Sequence, residues 1–206
     1  LYAATLTKDL NTKLNIYKTA EKMYGNDWRT SNNVGYCYLL QNKVSEAQAQ
    51  FEKANGLSAN NSIVLNNMGI VSRWKGDNKG AIEKYAASNT TESKYNTGIV
   101  NIIQGKYADA CSNFGGANSF NAALAKVLNG SPSEALAIID NSTEKDAAVS
   151  FYLKAIVGAR TNNKDLMINN LKSAIGKDAS FKKMAAEDKE FHKFVNDADF
   201  KGLIGG

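Results

Sequence analysis

The sequence predicts an all-α fold, an α-solenoid of antiparallel helix pairs closed by a C-terminal helical cap. Two observations carry this. A small residue, an Ala 12 positions on, an aromatic and a further small residue recur as Gly35, Ala47, Phe51, Ala54 and as Gly69, Ala81, Tyr85, Ser88, each member displaced by 34. A period in this range marks stacked helical repeats. The spacing of 12 then persists in Gly98–Ala110, Ala123–Ala135 and Ala155–Met167, while the steps from one unit to the next run 34, 29, 25 and 32. Length variation confined to the links is what a stack of supersecondary units predicts.

The elements follow in order, as one array over residues 1–206. Residues 1–27 hold a leading helix, striped by Leu10, Leu14, Tyr17 and Ala20, with Ala20 lying 34 before Ala54. Helix pairs occupy 28–61, 62–90, 91–118, 119–146 and 147–178. In the first, a helix from Trp28 to Gln41 turns at Asn42-Lys43, and Ser45 is placed to cap the second helix through Ala47, Phe51 and Ala54. The second pair runs from Ser62 to Trp74, turns at Gly76-Asp77 and returns through Tyr85. Turns at Gly105, at Asn129-Gly130-Ser131-Pro132 and at Asn162-Asn163-Lys164 divide the other three. Gly115-Gly116 ends the second helix of the third pair early. Residues 179–204 form capping helices, with Phe181, Met184, Ala185 and Phe191 as their apolar side. Phe194, Val195, Phe200 and Leu203 are expected to pack back onto the fifth pair, as an open stack requires of its end.

The net charge of +5 comes from scattered lysines such as Lys8, Lys13, Lys18 and Lys22. No Arg-rich helix or basic–aromatic alternation appears, so nucleic acid is not an expected partner. No stretch approaches the roughly 20 apolar residues of a membrane span, so membrane insertion is not expected. The opening LYAATLTKDL lacks the basic and apolar regions of a signal peptide and reads as a cut within a longer chain or after a processing site. Cys37 and Cys111 read as small buried hydrophobes on different pairs, both reduced and poorly reactive. His192 has no metal-ligand partners at suitable spacing, and Asp188, Glu190, Asp197 and Asp199 do not form a calcium loop. No phosphate-binding loop is present. These absences point away from an enzyme, a cofactor and a metal.

The pattern Val34, Gly35, Tyr38, Ala47, Phe51, Ala54, repeated as Leu65, Met68, Gly69, Ala81, Tyr85, Ser88, resembles the tetratricopeptide repeat (TPR) family. The closing Pro of that family is absent; Ala59 stands in its place in the first pair. The resemblance implies a right-handed superhelix whose first helices line a concave groove that binds a protein or peptide. The sixth position of those helices is Asn33, Asn67, Asn96 and Asn121. An amide offers one acceptor and two donors, which suits a peptide backbone; helix–helix bonding is the structural alternative. Around the asparagines the implied groove gathers Tyr36, Ile70, Arg73, Trp74 and Ile99, with Trp74 as a candidate anchor. The family's carboxylate clamp is missing, since Glu92 and Asn96 occupy its positions in the third pair. The segments GYCYLLQNK, YNTGIVNIIQGKY and DADF loosely resemble repeat regions of Bacteroidetes-type envelope proteins, which implies a periplasmic or envelope location, with the cytoplasm as the alternative. The expectation is a monomeric, non-enzymatic scaffold that binds a peptide segment of unknown identity in its concave groove. The alternative is an assembly module of a larger envelope-associated protein, acting through its ends or convex face.

Overall fold

The computed structural model describes Ala4 and residues 6–205. Among these residues every regular element is helical: α1 (Leu10–Met23), α2 (Trp28–Leu40), α3 (Val44–Leu57), α4 (Ser62–Trp74), α5 (Asn78–Ser88), α6 (Thr91–Ile103), α7 (Tyr107–Phe114), α8 (Phe120–Leu128), α9 (Pro132–Asp140), α10 (Ala148–Arg160), α11 (Lys164–Lys177), α12 (Ser180–Glu187), a 3₁₀ helix (Lys189–Phe194) and α13 (Ala198–Ile204). They fall into two compact units, Leu1–Val100 and Asn101–Gly206.

One turn geometry recurs in both units. The residue seven after each small residue has positive φ: Asn42 after Gly35 (59°), Gly76 after Gly69 (82°), Gly105 after Gly98 (74°), Gly130 after Ala123 (84°) and Asn162 after Ala155 (57°). The next residue then donates its N–H to the carbonyl five back: Lys43 to Tyr38 and Asp77 to Ser72 at 2.9 Å, Lys106 to Asn101 at 2.8 Å, Ser131 to Lys126 at 2.9 Å and Asn163 to Gly158 at 2.8 Å. This is the Schellman closure, which satisfies the last helical carbonyls and needs a left-handed residue. Gly adopts that conformation without penalty and Asn at small cost, which explains the residue types found there. Asp77 and Asn163 also cap the next helix, accepting from Gly80 N at 2.8 Å and Leu166 N at 3.0 Å. Ser45 does not cap α3. That helix starts one residue earlier, at Val44, and Lys43 occupies the cap position with no side-chain bond, because the turn closes directly into the helix.

In the first unit the small residues mark close approach between paired helices. A Cβ on Gly35 would lie 2.8 Å from Cε1 of Phe51, and one on Gly69 would collide with the ring of Tyr85. Each ring therefore sits on the glycine of its own pair. Each ring also reaches the next pair: Phe51 shares a core cluster with Val71, and Tyr85 with Val100. The leading helix α1 packs Leu14 against Val34 and Cys37 of α2. Glu21 accepts from Ser31 at 3.0 Å and from Lys53 at 2.8 Å, fastening α1 to both helices of the first pair.

In the second unit α7 stops at Phe114, with Gly115 at positive φ as its C-cap. Ala123, Val127, Ala135 and Ile139 bury α8 against α9, together with Leu153 and Val157 of α10. The tightest approach of α10 to α11 lies at Gly158, where a Cβ would stand 2.5 Å from the Met167 amide nitrogen. The cap closes on an aromatic cluster: Tyr152 lies 4.9 Å from Phe181 and 5.7 Å from Phe191, and Phe191 lies 5.7 Å from Phe200. The Tyr152 hydroxyl donates to Asp188 at 2.8 Å. Burial and that carboxylate push the phenol pKa up. Lys164 bridges Asp197 at 2.6 Å and Asp199 at 2.8 Å, tying α13 to α11. Phe194, Phe200 and Leu203 pack on this core, but Val195 is 42% exposed and Met184 is also exposed. Three residues per 3₁₀ turn put Phe191 and Phe194 on one face and leave Val195 off it. The two-turn α12 buries only the edge carrying Phe181 and Ala185.

Gly69→Leu forces the Tyr85 ring off its seat. The expected cost is about 1–3 kcal/mol of overpacking, read as a lower denaturation midpoint; an unchanged midpoint would place Gly69 away from a helix crossing. The two thiols are free, Cys37 buried and Cys111 half-buried. Burial also raises the Cys37 pKa, with Lys13 opposing weakly. Thiol labelling of the native protein is therefore expected to modify Cys111 first and Cys37 only on unfolding. Equal rates would contradict this packing.

Candidate functional site

The first helices of the pairs in the first unit, α2, α4 and α6, border a trough of about 570 Å³. Helical periodicity decides which side chains reach it. Asn66 and Ile70 are four apart on α4, with Asn67 beside them; Thr91 and Tyr95, and Glu92 and Asn96, are four apart on α6. Tyr36 of α2 closes the far wall. Tyr36 is 48% exposed, so the trough offers aromatic surface to solvent.

A line of amides runs beneath it. Asn96 Nδ2 donates to Asn66 Oδ1 at 2.9 Å, and Asn67 Nδ2 donates to Asn32 Oδ1 at 2.9 Å. Within each doublet, Asn66 Nδ2 approaches Asn67 Oδ1 and Asn32 Nδ2 approaches Asn33 Oδ1, both at the long distance of 3.5 Å. The two short bonds cross between helices and the two long ones stay on one helix. Asn32 and Asn67 are only 6% and 7% exposed. A buried amide without partners is costly, and mutual bonding across the helices removes that cost.

Of the residues singled out in the sequence, Tyr36, Asn67, Ile70 and Asn96 meet at this trough. Asn33 ends the amide line, half-buried. Arg73 does not line the trough; burial raises the pKa of the Tyr85 phenol on α5 and the guanidinium charge draws it back, while neither the Tyr85 hydroxyl nor Arg73 Nε has a hydrogen-bond partner. Trp74 is 44% exposed at the end of α4, and Ile99 is half-buried on α6; neither lines the trough. Asn121 lies on α8 in the second unit, half-buried. Asn32, Asn66, Thr91 and Tyr95 were not anticipated. The available signal was the pair of doublets Asn32-Asn33 and Asn66-Asn67, repeated at 34.

The trough thus combines apolar faces, an amide floor and one carboxylate. Among the described residues no three His, Cys, Asp or Glu side chains converge as metal ligands. No helix among them is long and apolar enough to cross a membrane. His192 is exposed on the 3₁₀ helix of the second unit.

A double-mutant cycle measures the amide line. Asn67→Ala strands the carbonyl of Asn32 and is expected to cost about 1–3 kcal/mol, with Asn32→Ala similar. The double variant should cost less than the sum, with a coupling of at least about 0.5 kcal/mol. Strict additivity in denaturant titrations would mean that the two amides do not support each other.

No family model and no curated protein matches this sequence. Solved structures do. PilF of Pseudomonas aeruginosa superposes with a TM-score of 0.69 at 14% identity, over 91% of this chain and 89% of that one. A chain of the APC/C hetero-tetramer Cut9-Hcn1 gives 0.67 at 16% identity over 93% of this chain, which spans only 45% of its length. YrrB, a TPR protein with an unusual peptide-binding site, gives 0.56 at 20% identity, over 84% of this chain and 98% of that one. At these identities the likeness is one of fold, and the fold is the all-α helix-pair solenoid of the tetratricopeptide repeat.

Proposed function

We propose that this chain is a non-enzymatic scaffold that binds an extended segment of another protein along the trough of α2, α4 and α6. The observation that carries this is the juxtaposition of half-exposed aromatic and aliphatic surface with amides already fixed by their neighbours. Fixed polar groups lose little conformational freedom when a ligand arrives, which favours binding. Aromatic rings at such a surface supply contact area of the kind that dominates interfaces. The fold is shared with YrrB, a TPR protein with an unusual peptide-binding site. Asn67 and Asn96 have a dual role in this reading: they join helices and present their remaining hydrogen-bonding capacity to a backbone. Trp74, Arg73, Ile99, Asn33 and Asn121 act outside the trough's contact area.

A second reading has its own observation. Met23 is 67% and Tyr24 60% exposed at the end of α1, an apolar surface suited to fixed assembly at one end of the first unit. This is the alternative of a structural module within a larger protein.

The two readings separate by experiment. A random peptide library is selected on the chain, and the selected peptides are titrated against Ile70→Asp, Tyr36→Ala and Met23→Asp variants by fluorescence anisotropy. The trough reading expects the first two to weaken binding at least about tenfold, equivalent to about 1.4 kcal/mol, and the third to leave it unchanged. Peptides lost only in Met23→Asp would move the interaction to α1.

A further inference from the structure

We infer that the segment held in the trough carries a lysine or arginine beside a large apolar residue, and that Glu92 recognises this cation; the inference rests on the trough reading above. Glu92 is the one charged side chain lining the trough. It is exposed, on the first turn of α6. The chain has 25 basic residues against 20 acidic ones. Some carboxylates use that surplus, as Glu21 does with Lys53, Glu134 with Lys126, Asp140 with Lys154 and Glu190 with Arg160; Glu92 is one of those that do not, and it is the one at the trough. Among the described residues no Lys or Arg pairs with Glu92. The helix dipole accounts for a carboxylate in a first turn, but it does not account for where this one points.

That placement is specific. Glu92 and Asn66 also line a second depression of about 350 Å³, with Ile63 and Thr90. Ile63 is 53% exposed. The carboxylate therefore stands between two surfaces with apolar components, one around Tyr36, Ile70 and Tyr95 and one around Ile63. Side chains on one face of an extended peptide repeat every two residues, about 6.6–7 Å apart. A segment with an apolar side chain in one depression thus brings its neighbours past Glu92. Lys and Arg can lay their methylene stems on apolar surface and deliver the charged head to a carboxylate. Tyrosine faces add attraction for a cation. An acidic segment meets a carboxylate with no neutralising partner, so the charge selects against it as well as for its opposite.

The test uses the same library-selected peptides. Basic residues next to a large apolar one are expected to be enriched among them. Their affinity is expected to fall about five- to tenfold in Glu92→Gln and further in Glu92→Lys, and to weaken with added salt in the parent but much less in Glu92→Gln. Library selection on Glu92→Lys is expected to yield acidic peptides instead. Peptides that lose affinity in Ile70→Asp but carry no basic residue and ignore Glu92→Gln overturn this inference while leaving the trough reading in place. Peptides indifferent to both changes overturn both readings, and so does a library that yields no peptide.

Discussion

The constraint on which this structure depends is how a helix reverses. Each first helix of a pair ends in a left-handed residue seven positions after its small residue, and the following amide reaches back five residues to close the end. That fixes where the second helix starts and in which direction it leaves. The small residue two turns upstream then faces the returning helix. In the first unit it is a glycine with a ring on it, Phe51 over Gly35 and Tyr85 over Gly69. Neither feature suffices alone. Without the turn the ring misses its seat, and without the glycine the returning helix cannot come close enough to bury it. The remaining packing, Leu39 and Val71 against Phe51 or Val100 against Tyr85, is built on that placement.

Much of this was legible because both devices restrict residue type. Positive φ admits mainly Gly and Asn, and a ring-to-backbone contact admits only the smallest side chains, so the sequence carries them as fixed spacings. The bounds of α4 were readable as Ser62–Trp74 for that reason. Where chemistry leaves choice, the reading drifted. A helix start can be satisfied by a turn as well as by a hydroxyl, so α3 begins at Val44 without Ser45 as its cap. In the fifth pair the crossing tightens at Gly158, one turn past Ala155, because α11 approaches with its backbone and not with a ring.

The trough was harder to see than the fold. A spacing of four within a helix is plain in sequence, but which neighbour an amide bonds is not. The sixth-position asparagines formed a visible ladder; their fifth-position partners, Asn32 and Asn66, became meaningful only once the helices were side by side. Arg73 illustrates the same limit. Its register suits the trough, yet a long flexible side chain can leave the line its Cα sets, and Arg73 is not among the residues that line it. Short side chains report register faithfully and long ones do not.

The C-terminal end has one contact that changes how that unit holds together. The Arg160 guanidinium donates to Glu190 at 2.8 and 2.5 Å and, through its remaining nitrogen, to the Val127 carbonyl at 2.5 Å. Val127 lies in the last turn of α8, and its carbonyl also accepts a long bond of 3.3 Å from Gly130 N. One side chain thus joins the last turn of α8 to the 3₁₀ segment more than sixty positions along the sequence. Repeat proteins are commonly described by couplings between adjacent units alone. Arg160 itself sits on α10, between the two, so each of its bonds is one of those adjacent couplings, and losing this one side chain releases the fifth pair from the neighbours on both sides.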